Sequence, residues 1–193
     1  TQSRSSAASD VYKRQDQEYP KKCGHTPGRR VIPMEDMVRK IRVAVDSRSS
    51  PDFLVIARTD ARTSLGLDEA LRRAEAYARA GADILFVESP ESEDEMRKIG
   101  QTVDKPLLAN MVEGGRTPVL SHSELESIGY KLAIFPVTAL LAATQAMKTV
   151  YAQFQRTGSS VNSDAGLMPF AELTQLMGFE DIWAFERQYA ETP

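Results

Sequence analysis

Cysteine is nearly missing from this chain: Cys23 stands alone among 193 residues, which excludes an internal disulfide framework and a multi-thiolate metal site. Histidine is almost as scarce, with only His25 and His122, so a histidine-rich zinc site is excluded as well. No run approaches the roughly 18 consecutive apolar residues that a membrane-spanning helix needs, and no charged-then-apolar leader opens the sequence. An excess of one charge is also lacking. Lys and Arg number 24 against 27 Asp and Glu, which leaves no electrostatic footprint for nucleic acid or an anionic membrane. A cytoplasmic protein with neither a nucleic-acid nor a membrane partner is the expectation. The composition that remains, 41% apolar and 26% charged, is globular and suits about one domain at roughly 150 residues each.

Residues 1–15, TQSRSSAASDVYKRQ, are polar, serine-rich and without a periodic apolar face. Ser5 to Gln15 resembles a translated sequencing-adaptor remnant, so this segment is expected to lie outside the fold, as a non-native or disordered stretch. From Asp16 onward, short apolar runs alternate with amphipathic helical spacing. The runs FLVI (Phe53 to Ile56), ILFV (Ile84 to Val87), Leu107 to Ala109 and LAIF (Leu132 to Phe135) read as strands buried on both faces. Helical spacing appears in Met37, Val38, Ile41 and Val45 after Pro33, and in Ala70, Leu71, Ala74 and Ala78 before Gly81. Ser92 with Glu95 and Ser121 with Glu124 fit the capping box, while Gly100 and Gly129 read as left-handed helix stops.

A longer helix is expected from Ala139 to Gln155, closed by Gly158. Beyond a polar hinge, Pro169 to Met177 and Asp181 to Tyr189 read as two short helices. The alternation of strand and helix predicts parallel βαβ units and an α/β protein, but the spacing alone does not separate a barrel from an open sheet.

The most specific local signal is Lys21-Lys22-Cys23-Gly24-His25. A lone cysteine is usually a small buried hydrophobe. Here two lysines and a histidine flank it, and such a cationic setting favours thiolate and proton exchange near neutrality. The second signal is positional. Arg58, Glu88 and Asn110 each stand within three residues of the end of a strand run, so parallel strands would deliver all three to one carboxyl edge. Arg58 could instead be a rim ion pair with Asp60. Gly114 and Gly115 would let a backbone approach a ligand, or simply turn before Pro118.

Asp16-Gln17 ahead of KKCGH, ARTDA from Ala57, GADILFVESP from Gly81, NMVEGGRTP from Asn110 and GFEDIWAFERQY from Gly178 together resemble the isocitrate lyase and phosphoenolpyruvate mutase superfamily, in particular its short methylisocitrate lyase-like and dimethylmalate lyase-like members. The resemblance runs from Asp16 to the C-terminus and implies a TIM (β/α)8 barrel. Residues 16–158 would form part of that barrel, and 159–193 a helical segment exchanged between subunits of a homodimer or homotetramer. It implies a Mg2+-dependent site, Mn2+ being possible, for a small carboxylic-acid substrate. Cys23 would be the acid that protonates the carbanion after carbon-carbon cleavage, with Lys21 and His25 setting its protonation. Arg58, Glu88, Asn110 and the Gly24 backbone would hold substrate. Mutase, oxaloacetate hydrolase or decarboxylase chemistry within the same superfamily, and a non-enzymatic binding module, are the alternatives.

Departures from the family pattern bear on substrate and metal. Where methylisocitrate-cleaving members carry arginines for an extra carboxylate, this sequence has Leu141 and Phe170, which favours a dicarboxylate such as a substituted malate. The family's magnesium-ligating aspartates belong to strands ahead of Asp16, so no metal ligand is expected in this chain. About half a barrel is expected, unstable and inactive alone, with the parent gene encoding the active lyase.

Overall fold

The computed structural model describes residues 11–24, 26, 28–161 and 166–189. Five strands, β1 (Val11–Gln15), β2 (Leu54–Thr59), β3 (Ile84–Val87), β4 (Leu107–Asn110) and β5 (Tyr130–Ile134), lie side by side in chain order, every neighbouring pair parallel. Between them run α1 (Met34–Ser47), α2 (Ala61–Leu65), α3 (Leu67–Arg79), α4 (Glu93–Thr102) and α5 (His122–Ile128); α6 (Thr138–Thr157), α7 (Phe170–Leu176) and α8 (Phe179–Tyr189) follow. This strand order resolves what spacing could not. Right-handed crossovers that always advance by one strand put the helices that connect the strands on the same face, which is barrel geometry; a doubly wound sheet reverses direction partway.

The two faces of the sheet differ accordingly. Val55, Ala57, Leu85, Val87, Leu107 and Ala109 point outward into one continuous core with Met37 and Ile41 of α1, Leu71, Ala74 and Tyr77 of α3, Met96 and Ile99 of α4, and Leu125 and Ile128 of α5. The helical members recur at spacings of three and four, the single stripe that an amphipathic helix buries. The alternate residues Ile56, Ile84, Phe86 and Leu108 make a separate, smaller cluster on the inner face. Near it Leu132 and Ile134 of β5 are exposed.

Several sequence expectations need correction. Val11–Gln15, set aside as outside the fold, form the edge strand β1, pairing residue for residue from Val11–Leu54 to Gln15–Arg58. Strand pairing uses backbone groups that every non-proline residue carries, so an open edge can recruit a segment without an apolar pattern. Gly100 is not a helix stop. It lies inside α4, and a Cβ there would stand 2.2 Å from the carbonyl oxygen of Ile128, so the glycine permits close approach of backbones. Gly129 does stop α5 in the left-handed region at φ 111°, and Ser121 with Glu124 completes the capping box. Ser92 caps α4, but the Glu95 carboxylate turns to Arg62 and to the Glu91 backbone, leaving that box half made.

The chain divides into two compact units between Thr138 and Ala139, twenty residues before the hinge expected after Gly158. The long helix α6 therefore belongs almost entirely with the second unit. Within that unit the apolar residues Leu140, Leu141, Tyr151, Phe154, Phe170, Trp183 and Phe185 are all exposed. Phe179 and Trp183 pack edge to face within α8. No helix among the described residues is long and apolar enough to cross a membrane.

Candidate active site

The inner-face parity that seats Ile56, Ile84 and Leu108 continues to the carboxyl edge, where it presents Arg58, Glu88 and Asn110 in a row. Arg58 pairs in register with Phe86, and Thr59 with Val87, so Asp60 and Glu88 emerge together just past the ladder. Two nitrogens of Arg58, Nε and Nη2, donate to the two Asp60 oxygens at 2.9 and 2.8 Å, and its Nη1 lies 3.2 Å from Glu88 Oε2. The guanidinium also stacks 4.9 Å from the centre of the Phe86 ring. Asn110 Nδ2 donates to the Glu88 carboxylate at 3.3 and 3.4 Å, while its buried Oδ1 has no partner. The rim ion pair and the ligand-facing row are thus one arrangement. Three of the five Arg58 donors are engaged by carboxylates.

Asp60 is the electrostatic centre of this edge. It is fully buried and also accepts from Arg29 Nη1 at 2.9 Å and Gln17 Nε2 at 3.2 Å. Burial works to raise its pKa, but the hydrogen bonds and charge of Arg58, with Arg29 and Gln17, outweigh it and hold the carboxyl below its ordinary value. Behind it, equally buried, Asp16 accepts from the Asp60 backbone N–H, Thr59 Oγ1, Tyr77 OH and Arg73 Nη1, all within 2.8 to 3.0 Å. Burial, then the adjacent Asp16 charge, pushes the Tyr77 hydroxyl well above its usual range, so it stays a donor.

These two aspartates bolt the residue after β1 to the end of β2 and to α3. Charged partners satisfy their oxygens, so they do not offer a cation an open coordination set. Among the described residues no group of three or more His, Cys, Asp or Glu side chains is placed to hold a metal ion. These residues do not fit the magnesium site that the resemblance implies.

The loop bearing Cys23 docks on the same row. The Gln17 side chain bridges its neck, accepting from Lys22 N at 2.5 Å and donating to Lys22 O at 3.0 Å. Thr26 folds back to the Cys23 carbonyl through both its N–H and its hydroxyl. Gly24 is buried, and a Cβ on it would meet Glu88 Oε1 at 2.5 Å and Arg58 Nη2 at 2.8 Å, so only glycine lets the backbone lie against that ion pair. Cys23 and Lys21 are exposed beside it. His25 lies outside the described residues. The structure therefore gathers Gly24, Arg58, Glu88 and Asn110, and keeps the Cys23 backbone next to them.

Sequence reasoning missed Ser89, Asp16, Gln17 and Arg29, and gave Asp60 only a rim role. Ser89 had a signal, since it directly follows Glu88 at the end of an apolar strand. For Gln17 and Arg29, whose amide and guanidinium reach Asp60 from a loop 43 and 31 residues away in sequence, no local pattern existed.

Residues 16–155 match the family described as phosphoenolpyruvate phosphomutase. Over 180 residues the chain is 48% identical to the 2,3-dimethylmalate lyase of Eubacterium barkeri, an alignment covering 93% of this chain and 62% of that protein. Among solved structures, a 2,3-dimethylmalate lyase of the PEP mutase/isocitrate lyase superfamily superposes with a TM-score of 0.83 at 33% identity, over 93% of this chain and 60% of that one. A phosphonopyruvate hydrolase in complex with oxalate and Mg++ superposes with a TM-score of 0.80 at 28% identity, over 97% and 65% of the two chains. The chain thus spans a little over three-fifths of the first of these relatives.

Proposed function

The chain belongs to the phosphoenolpyruvate phosphomutase family, and on that footing we propose that the complete protein is a carbon-carbon lyase that cleaves a substituted malate. The observation that carries this is the seating of Gly24 against Arg58 and Glu88, which holds the cysteine loop beside three polar groups delivered by separate strands. Such a set suits retro-aldol cleavage of a 2-hydroxy dicarboxylate. A base takes the hydroxyl proton, and that oxygen becomes the keto oxygen of the first product as the bond to the neighbouring carbon breaks. The electron pair stays on that carbon, which is stabilised as an enolate by its own carboxylate, and Cys23 returns a proton to it. The products are a 2-keto acid and a saturated carboxylate.

Arg58 keeps donors for a substrate carboxylate, and Asn110 Oδ1 supplies an unpaired acceptor beside it. Lys21 and His25 bias the thiol toward proton exchange in this reading. A divalent cation, Mg2+ or Mn2+, belongs to the proposal with ligands drawn from outside the described residues; the oxalate- and Mg++-bound phosphonopyruvate hydrolase supports it. Leu141 and Phe170, which carry no charge for a third carboxylate, favour a substituted malate over 2-methylisocitrate. Exchange of the C-terminal helices within a homodimer or homotetramer would cover the apolar residues exposed on α6 to α8.

The test is turnover of the complete gene product with both acids. Release of 2-keto acid from 2,3-dimethylmalate faster than from 2-methylisocitrate, with a loss of at least a hundredfold in Cys23→Ser, is the expected result. Faster cleavage of 2-methylisocitrate, or undiminished turnover in Cys23→Ser, overturns it.

A further inference from the structure

We propose that Ser89 is a positioning residue, a one-proton latch that seats the cysteine loop on Glu88. Ser89 is buried and holds φ at 59°, in the left-handed region, the sole non-glycine residue with positive φ among those described. A serine is strained in that conformation, which persists only where surrounding contacts demand it. The contacts here are specific. Ser89 Oγ lies 2.8 Å from the Gly24 carbonyl oxygen and 3.1 Å from Glu88 Oε1, and both are acceptors.

A hydroxyl has one proton, so it serves one of the two at a time. The shorter contact gives it to Gly24 while Arg58 and Asn110 satisfy Glu88. Cys23 stands one residue from the latched carbonyl, so holding that carbonyl holds its backbone beside the row. That this matters for turnover rests on the lyase reading; the latch itself does not.

Two substitutions separate the hydroxyl from the backbone. Ser89→Ala removes the proton and keeps the strain, whereas Ser89→Gly removes both. The readouts are tryptic cleavage after Lys21 and Lys22 and alkylation of Cys23, the only thiol present. Both variants should speed loop cleavage and shift the alkylation rate about three- to tenfold, the effect of one net hydrogen bond. The Gly variant should melt no lower than the parent. Wild-type loop kinetics in Ser89→Gly would mean that only the backbone conformation matters, and would overturn the latch, as would unchanged kinetics in both variants. In the active complete protein, kcat should fall with KM little moved. A loosened loop with unaltered kcat would keep the latch and overturn the role given to Cys23.

Discussion

The outer and inner faces of the same five strands do different work, and the difference is one of parity. Residues at odd positions of β2, β3 and β4 sink into a core shared with five helices; their even-numbered neighbours form a patch of four apolar side chains that ends in Arg58, Glu88 and Asn110. The outer face has many partners per residue and the inner face few. Stability is therefore concentrated on one side and the candidate site on the other, and the buried aspartates Asp16 and Asp60 join the two.

The comparison is tested hardest at that joint. Asp60→Ala takes the buried Arg29 from its carboxylate and leaves Arg58 with Glu88 alone, and should cost about 3 to 5 kcal/mol in denaturant unfolding. The same group sets an acid limit. Its carboxyl titrates below the ordinary 3.8 when folded, so its contribution is complete above that value and disappears as pH falls through the lower folded one. Denaturation midpoints followed below about pH 4 should drop less steeply in Asp60→Asn than in the parent. Next come the faces themselves. Leu85→Ala, on the outer side and fully buried, should cost about 3 to 4 kcal/mol, and Leu108→Ala, on the inner side beside exposed Leu132 and Ile134, about half as much. Equal losses would erase the distinction. A loss comparable with that at Leu108 is expected at Gly100→Ala, where a methyl group would press on the Ile128 carbonyl and cost about 1 to 3 kcal/mol in the same assay.

Much of this was legible in the residues. ILFV is β3 to the residue, because a strand covered on both faces is a continuous apolar run and nothing else on the chain competes for it. The row of Arg58, Glu88 and Asn110 followed from the carboxyl-end rule without knowledge of strand order. Other features were hidden for definite reasons. β1 is polar and held by backbone pairing, which leaves no side-chain signature. Glycine is needed both for positive φ and for close contact, so Gly100 and Gly129 look alike in sequence although only the second is left-handed. The anchoring of Asp60 by Gln17 and Arg29 depends on long-range contacts that no window of sequence contains.

The double engagement of Arg58 constrains how such a site can diversify. Because the same guanidinium that faces the row also neutralises Asp60 and touches Glu88, its replacement would unsettle the strand ends beneath. Room for change is then left to the peripheral loops, such as the glycine-containing turn after Asn110, which carry none of that double duty.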